Sequence, residues 1–466
     1  QDPAGCAMSA PPSWLALARL GCEVWAGTSL FFTLLLLLGL ARLHARAHSP
    51  LLKPWPSLLI LRPCEGAEPG LDDNLLSTLT AHYPGTRRVR FLVPSATDPA
   101  YQAALSVIAR AKLPPDCSAE VVTTTPRPFD NRKVAQLSAG AENSQEEIVV
   151  TVDSDVYLSD ADLPALIGAM SSSTEAIPRP AAASFAAPVE VCPQTVWDRA
   201  SAALVGGSPQ NFLALYGLTG LIGGVPSMAG ALCAIRRSAL SEIGGFPGVS
   251  QFLGEDYELS RRLTTRGYRI AVSPLPARCT DGGRDAKAVI SRVARWLTVV
   301  RAQRPLLLLT YPLLMAATPA VLLWAALWQT STLSILAMAL LVSRMLLNRY
   351  LRHLQRERSS LIGTPCEVLA AELLLWLGLA RALGTRVVRW RGHLFRIGAG
   401  GRMLPVQSAP PALRKQLGAQ PAPSSAAPKA MATSTAQPDF GLNPTSSPSK
   451  SPTSGSSAPP PERTTA

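Results

Sequence analysis

The run VTVDSDVYL places two carboxylates, Asp153 and Asp155, at the end of an apolar, strand-like stretch. Alternate residues of an extended chain face the same side, so both can point at one ligand. Two hard oxygen donors, completed by diphosphate oxygens and water, are the usual way to hold Mg2+ or Mn2+. Such an ion neutralises charge developing on a departing nucleotide diphosphate. A second acidic pair, Glu255 and Asp256 in LGEDYELSRRLTTRGYRI, stands where a short helical stretch begins. A carboxylate there serves as a helix cap, or as a general base that takes the proton from an acceptor hydroxyl. Asp256 is the better candidate for the base, although residue type alone does not choose it over Glu255.

Gly230, Gly244 and Gly245, ahead of that segment, mark tight turns suited to a pocket wall where backbone passes close to a ligand. In RVARW, Arg292 and Arg295 are three apart and share a face if the segment is helical. Two guanidiniums can engage a diphosphate, and Trp296 can stack or anchor at a membrane interface. The plainer alternative is a basic patch touching lipid headgroups. In DNRKVAQL, Asn131 and Lys133 fall between the third and fourth strand-like runs. Lys133 is either a phosphate contact or an ordinary loop lysine.

These residues need a frame, and the sequence supplies one between residues 57 and about 300. SLLILRP, VRFLV, EVVTT and EIVVTVD are short strand-like runs separated by helix-length segments. That spacing suits crossover units on a mostly parallel sheet in an α/β domain. Ligands of such folds sit beyond the C-terminal ends of the strands, which is where Asp153 falls.

Hydrophobic residues make up 47% of the 466 and charged residues only 16%, against about a quarter in ordinary soluble domains. The apolar excess is concentrated near the N-terminus and between about residues 305 and 380. Trp14 to Leu40 is largely apolar and is followed by Arg42, His44, Arg46 and His48. A signal peptide is the alternative. With no small-x-small cleavage site and the basic flank after the run, residues 1–48 read as a retained anchor with the next domain in the cytoplasm. Pro305 to Trp328 and Ser331 to Leu347, the latter broken by Arg344, are further apolar runs. Leu361 to Ala380 contains Glu367 and Glu372, which are costly in hydrocarbon, so this run is expected to be re-entrant or interfacial. Three spans in total keep the basic stretches Arg344–Arg358 and Arg381–Arg396 on one side, with residues 301–397 as the membrane-associated part. The net charge of +13 therefore reads as flanking of membrane helices, and nucleic acid is not an expected partner. Eight cysteines show neither a disulfide framework nor zinc spacing. Residues 405–466, rich in Pro, Ser, Ala and Thr, read as a disordered tail.

Taken together, from about residue 57 to residue 397 the chain resembles the ceramide glucosyltransferase-like family, and within it the bacterial hopanoid-biosynthesis glycosyltransferases. The blocks that carry the resemblance are LRPCEGAEPGLDDNL, NRKVAQL, VDSDVYL, the segment from Gly230 through Arg237, GEDYELSRRLTTRGYR and RVARW. The resemblance implies a GT-A fold, a UDP-sugar donor, a divalent cation and inversion at the anomeric carbon. Its second aspartate corresponds to Asp153, its third to Asp256 as catalytic base, and its (Q/R)xxRW motif to Arg292, Arg295 and Trp296. The implied acceptor is a membrane lipid hydroxyl, on ceramide or a hopanoid, and the implied sugar is glucose or N-acetylglucosamine. The implied location is the bacterial inner membrane, multi-pass, with the catalytic domain in the cytoplasm.

One position departs from the family pattern. Aligned on the shared Asp-Pro-Ala of FLVPSATDPA, Ser95 occupies the place of the first, nucleotide-contacting aspartate, and Asp98 matches a later acidic residue. Serine can still hydrogen-bond to uracil or ribose, and Asp98 can substitute after a small loop shift. The competing readings are a processive polysaccharide synthase, for which the spans look too few, a polyprenyl-phosphate glycosyltransferase, and a non-catalytic membrane scaffold.

Overall fold

The computed structural model describes residues 13–45, 55–125, 130–171, 180–207, 227–354, 360–390 and 393–405. The expected tail, residues 391 and 392, and the end of the Arg344–Arg358 stretch lie outside the described residues. After a long helix α1 (Ser13–Ala45), the chain alternates strand and helix. It runs β1 (Leu58–Pro63), α2 (Leu71–Thr80), β2 (Arg87–Val93), α3 (Pro99–Arg110), β3 (Cys117–Thr123), α4 (Arg132–Ala141) and β4 (Ile148–Val152). The second half carries β5 (Val156–Tyr157), α5 (Asp162–Ser171), β6 (Ala183–Ala186), β7 (Pro188–Glu190), α6 (Val196–Gly206), β8 (Leu232–Arg236) and α7 (Arg237–Glu242). It closes with α8 (Glu255–Thr265), β9 (Ile270–Val272), β10 (Ala277–Cys279) and α9 (Ala286–Gln303).

The main sheet has the order β3-β2-β1-β4-β8-β6-β9. The first four strands pair in parallel, as their crossover spacing predicts. The sheet as a whole is nevertheless mixed, not the mostly parallel one expected, because β8 runs antiparallel to both β4 and β6. That pairing joins segments some eighty residues apart and leaves no local mark in the sequence. Along β1 the side chains alternate between two cores. Leu58 and Ile60 pack with α2, α3 and α5, while Leu59 and Leu61 pack with α4, α7 and α8. Burial on both faces explains why LLIL is uniformly apolar, each such side chain contributing about 1.5–3 kcal/mol. A small sheet, β5-β10-β7, lies beside the main one.

Beyond α9 the chain forms α10 (Thr318–Trp328), α11 (Ser331–Leu354) and α12 (Gly363–Gly384). Two helical segments are long and apolar enough to cross a membrane, Trp14–Arg42 and Ser331–His353. The first apolar run after the α/β region is not straight: Pro305–Met315 and Thr318–Trp328 meet at 51°, so three spans require this bent pair to act as one. Leu36 and Leu40 of α1 and Leu347 and Leu351 of α11 join the core on the α4 side of the sheet, fixing the apolar helices to the α/β region. The chain then forms β11 (Val387–Trp390), β12 (His393–Ile397) and β13 (Met403–Pro405), a three-stranded antiparallel sheet.

Candidate active site

The antiparallel β8 makes the site. Its first residue, Leu232, pairs with Val152, the last of β4, so the residues before β8 lie beside the acidic turn after β4. Asp153 N donates to Ala231 O at 2.9 Å. Next along the chain, Gly230 N donates to Asp256 Oδ2 at 2.9 Å. A Cβ on residue 230 would stand 3.2 Å from that oxygen, so glycine lets Asp256 close on the backbone. Gly244 and Gly245, at φ 91° and 63°, make the tight turn expected of them, next to Arg262 and Pro247.

Lys133 opens α4 and ties the two acidic motifs together. Its Nζ lies 2.6 Å from Asp153 Oδ1 and 3.0 Å from Glu255 Oε1. Burial pulls its pKa down, but these two carboxylates more than offset that and hold it well above the ordinary lysine value. Asn131 caps α4 through Val134 N and also donates to Phe252 O and Glu255 Oε2. Glu255 is thus spoken for on both oxygens. Asp256 accepts Tyr257 N at 2.7 Å besides Gly230 N. Burial first, and the neighbouring Glu255 second, push its carboxyl up to about 6, against the pull of Lys133 and the two amides.

Asp155 is also pushed up to about 6, first by burial and then by Asp153, with Arg292 opposing. The buried Asp155 beside the like-charged Asp153 is a place that favours a further cation. Among the described residues no group of three or more His, Cys, Asp or Glu could hold a metal. Two carboxylates with phosphate and water as the remaining donors fit the habits of Mg2+ or Mn2+, although Lys133 already claims one oxygen of Asp153.

Arg292 and Arg295 both lie on α9, three residues apart, and both are half-buried. The Arg292 guanidinium stacks 4.6 Å from the Trp296 ring centroid and donates to Glu190 on β7. Glu190, which nothing in the local sequence singles out, is also 3.3 Å from Arg284. Asp98 caps α3 through Ala100 N and also accepts Gly66 N, tying the β2–α3 loop to the β1–α2 loop. Ser95 Oγ lies 2.9 Å from Thr97 Oγ1. Neither is bonded to Asp153, Asp155 or Asp256 among the described residues.

The loop that delivers Asp256 is held from behind by the small sheet β11-β12-β13. Met403 N donates to Gln251 O at 2.8 Å, Phe252 bridges to Arg402, and Leu253 packs with Val388, Phe395, Ile397 and Met403.

The profile of Glycosyl transferase family 21 matches residues 24–403. The chain belongs to that family. This family 21 chain is 26% identical over 176 residues to ceramide glucosyltransferase 3 of Caenorhabditis elegans, covering 37% of the chain and 38% of the relative. It is 24% identical over 298 residues to ceramide glucosyltransferase 1 of the same organism, covering 64% and 60%. The matched part therefore spans less than two thirds of either relative. Among solved structures, the mannosyltransferase PcManGT from Pyrobaculum calidifontis, in complex with GDP-Man and Mn2+, shares 15% identity at a TM-score of 0.40, covering 78% of this chain and 99% of that one. Likeness at that score says nothing about ligands or chemistry.

Proposed function

We propose that this family 21 protein is an inverting glycosyltransferase that moves a single hexose from a UDP-sugar to a hydroxyl of a membrane lipid. The observation that carries the reading is the Lys133 bridge between Asp153 and Glu255, which puts the metal-type carboxylates and the base-bearing loop in one site. Asp256, with its carboxyl near 6, is ionised at neutral pH yet basic enough to take a proton. The acceptor oxygen attacks the anomeric carbon, its proton passes to Asp256, and the bond to the β-phosphate breaks with its electron pair leaving on UDP. Bound at Asp153 and Asp155, Mg2+ or Mn2+ would supply the charge that stabilises this leaving diphosphate.

In this scheme Lys133 on α4 and Arg295 on α9 face the diphosphate, and Arg292, stacked on Trp296 and anchored to Glu190, fixes α9. Ser95 meets the nucleotide, on a loop that Asp98 keeps in place. A lipid acceptor is supported by the apolar segments that follow α9 directly and by α1 and α11, which dock on the same sheet. Ceramide and a hopanoid polyol both meet that description, in a cell membrane with the site on the cytoplasmic side. The deciding measurement is mass spectrometry of lipids from membranes containing the protein, supplied separately with UDP-glucose and UDP-N-acetylglucosamine. A lipid carrying one added hexose is the expected product. A polymer ladder, or no sugar on lipid with either donor, would overturn the reading.

A further inference from the structure

The turn that carries Asp153 and Asp155 has each of its backbone carbonyls engaged. Asp153 O accepts Val156 N at 3.1 Å. Ser154 O accepts Arg62 Nη2 at 3.2 Å and Asn74 Nδ2 at 3.1 Å. Asp155 O accepts Thr280 N at 2.7 Å and Thr280 Oγ1 at 3.0 Å. Val156 O accepts Arg62 Nη2. Arg62, on β1, thus holds the turn at two points. Its Nη1 anchors in turn to Asn74 O at 2.7 Å and to Thr78 Oγ1 on α2.

A guanidinium in this place demands a reason. Arg62 is 0% exposed, at the end of a strand whose preceding residues are Leu58, Leu59, Ile60 and Leu61. Burying a charge is expensive unless it is paired, and Arg62 makes no ion pair among the described residues. Burial accordingly lowers its pKa to about 10, with Cys64, Asp155 and Asp153 opposing. At that value it is fully charged at neutral pH. A leucine would pack the strand end more cheaply, but it would free the Val156 carbonyl, leave that of Ser154 to Asn74 alone and remove the cation behind the carboxylates.

We propose that Arg62 is a positioning residue for the metal and diphosphate site. It fixes the Asp153–Asp155 turn from behind and keeps a permanent positive charge under it, with Asn74 and Thr280 completing the clamp. The inference rests on the proposed function, since it takes Asp153 and Asp155 as the ion's ligands.

The test titrates Mn2+ against the full-length protein in lipid nanodiscs with saturating UDP, following free Mn2+ by electron paramagnetic resonance. Thermal melts run in parallel. Arg62→Met is expected to weaken Mn2+ binding about 10- to 100-fold, the range seen when groups that orient metal ligands are removed. Arg62→Lys, which keeps the charge but loses the two-pronged grip, should fall between. Thr280→Val trims one hydroxyl at the other side of the same turn, so it should melt close to the wild type while also weakening Mn2+ binding. It decides the matter if Arg62→Met does not fold. Mn2+ affinity equal to wild type in Thr280→Val and in every Arg62 variant that folds would overturn the role of Arg62 alone. Wild-type protein that fails to bind Mn2+ with UDP would overturn the metal site and this inference together.

Discussion

Glu255 and Asp256 are adjacent carboxylates with different employments. Glu255 gives one oxygen to Lys133 and the other to Asn131, which leaves it holding the site together. Among the described residues Asp256 accepts only backbone amides, and burial puts its carboxyl at about 6. The ionised form is the active base, so kcat/KM should stay level above pH 7 and fall about tenfold per unit well below pH 6. Asp256→Asn should lower turnover about 100- to 10,000-fold, the usual contribution of a general base, while UDP-sugar binding is retained. A pH–rate profile with its acid limb near 4, or near-normal turnover of Asp256→Asn, would remove Asp256 from this role. The choice between the two carboxylates was not legible in residue type, because it depends on which neighbours each one finds.

At the scale of elements, the placement of Asp256 depends on how closely α9 approaches the loop before α8. Gly254, the residue before α8, has no side chain, and a Cβ there would stand 2.7 Å from Val299 Cγ1 on α9. Gly254→Ala should push loop and helix apart, costing about 1–3 kcal/mol as overpacking does and lowering kcat more than donor binding. Val299→Ala removes the obstructing methyls, so the double variant should recover part of both losses. Melts and turnover of the four proteins check this, and a Gly254→Ala protein indistinguishable from wild type would show that the contact does not set the loop. The first four strands and the motifs at their ends were legible because apolar runs and acidic turns are local signals. The antiparallel β8, the buried Glu190 and the strand Met403–Pro405 behind the loop were not, because each is defined only by a partner far away in the chain.

For the molecule as a whole, the charges inside its apolar half look expensive until their partners are named. Glu367 and Glu372 were the reason to expect the 361–380 run not to cross cleanly, and α12 is not among the described helices long and apolar enough to cross; the irregular backbone lies at the bend between Met315 and Thr318. Backbone groups freed by such a break must be satisfied within the protein if they sit in hydrocarbon. Leu313 O accepts Trp25 Nε1 at 2.6 Å and Ser29 Oγ at 2.7 Å, both from α1. Arg344 of α11 donates to Leu314 O, and Trp376 of α12 donates to Ala316 O. On the far side of the bend, Glu372 accepts both Thr318 N at 2.8 Å and Thr318 Oγ1 at 2.7 Å. It also lies 3.6 Å from Arg344, so it caps a helix and balances a buried cation at once. Glu372→Ala should therefore destabilise the protein by about 3–5 kcal/mol, as loss of one partner of a buried pair does. Glu372→Gln, which can still bond Thr318 but leaves Arg344 uncompensated, should lie between. Melting in nanodiscs should rank wild type above Glu372→Gln above Glu372→Ala. Turnover should fall in the same order, because α12 packs along α9 through Leu374, Leu375 and Leu379, and α9 carries Arg292 and Arg295. A Glu372→Ala protein that melts with the wild type would mean that water or lipid, not this carboxylate, satisfies the bend.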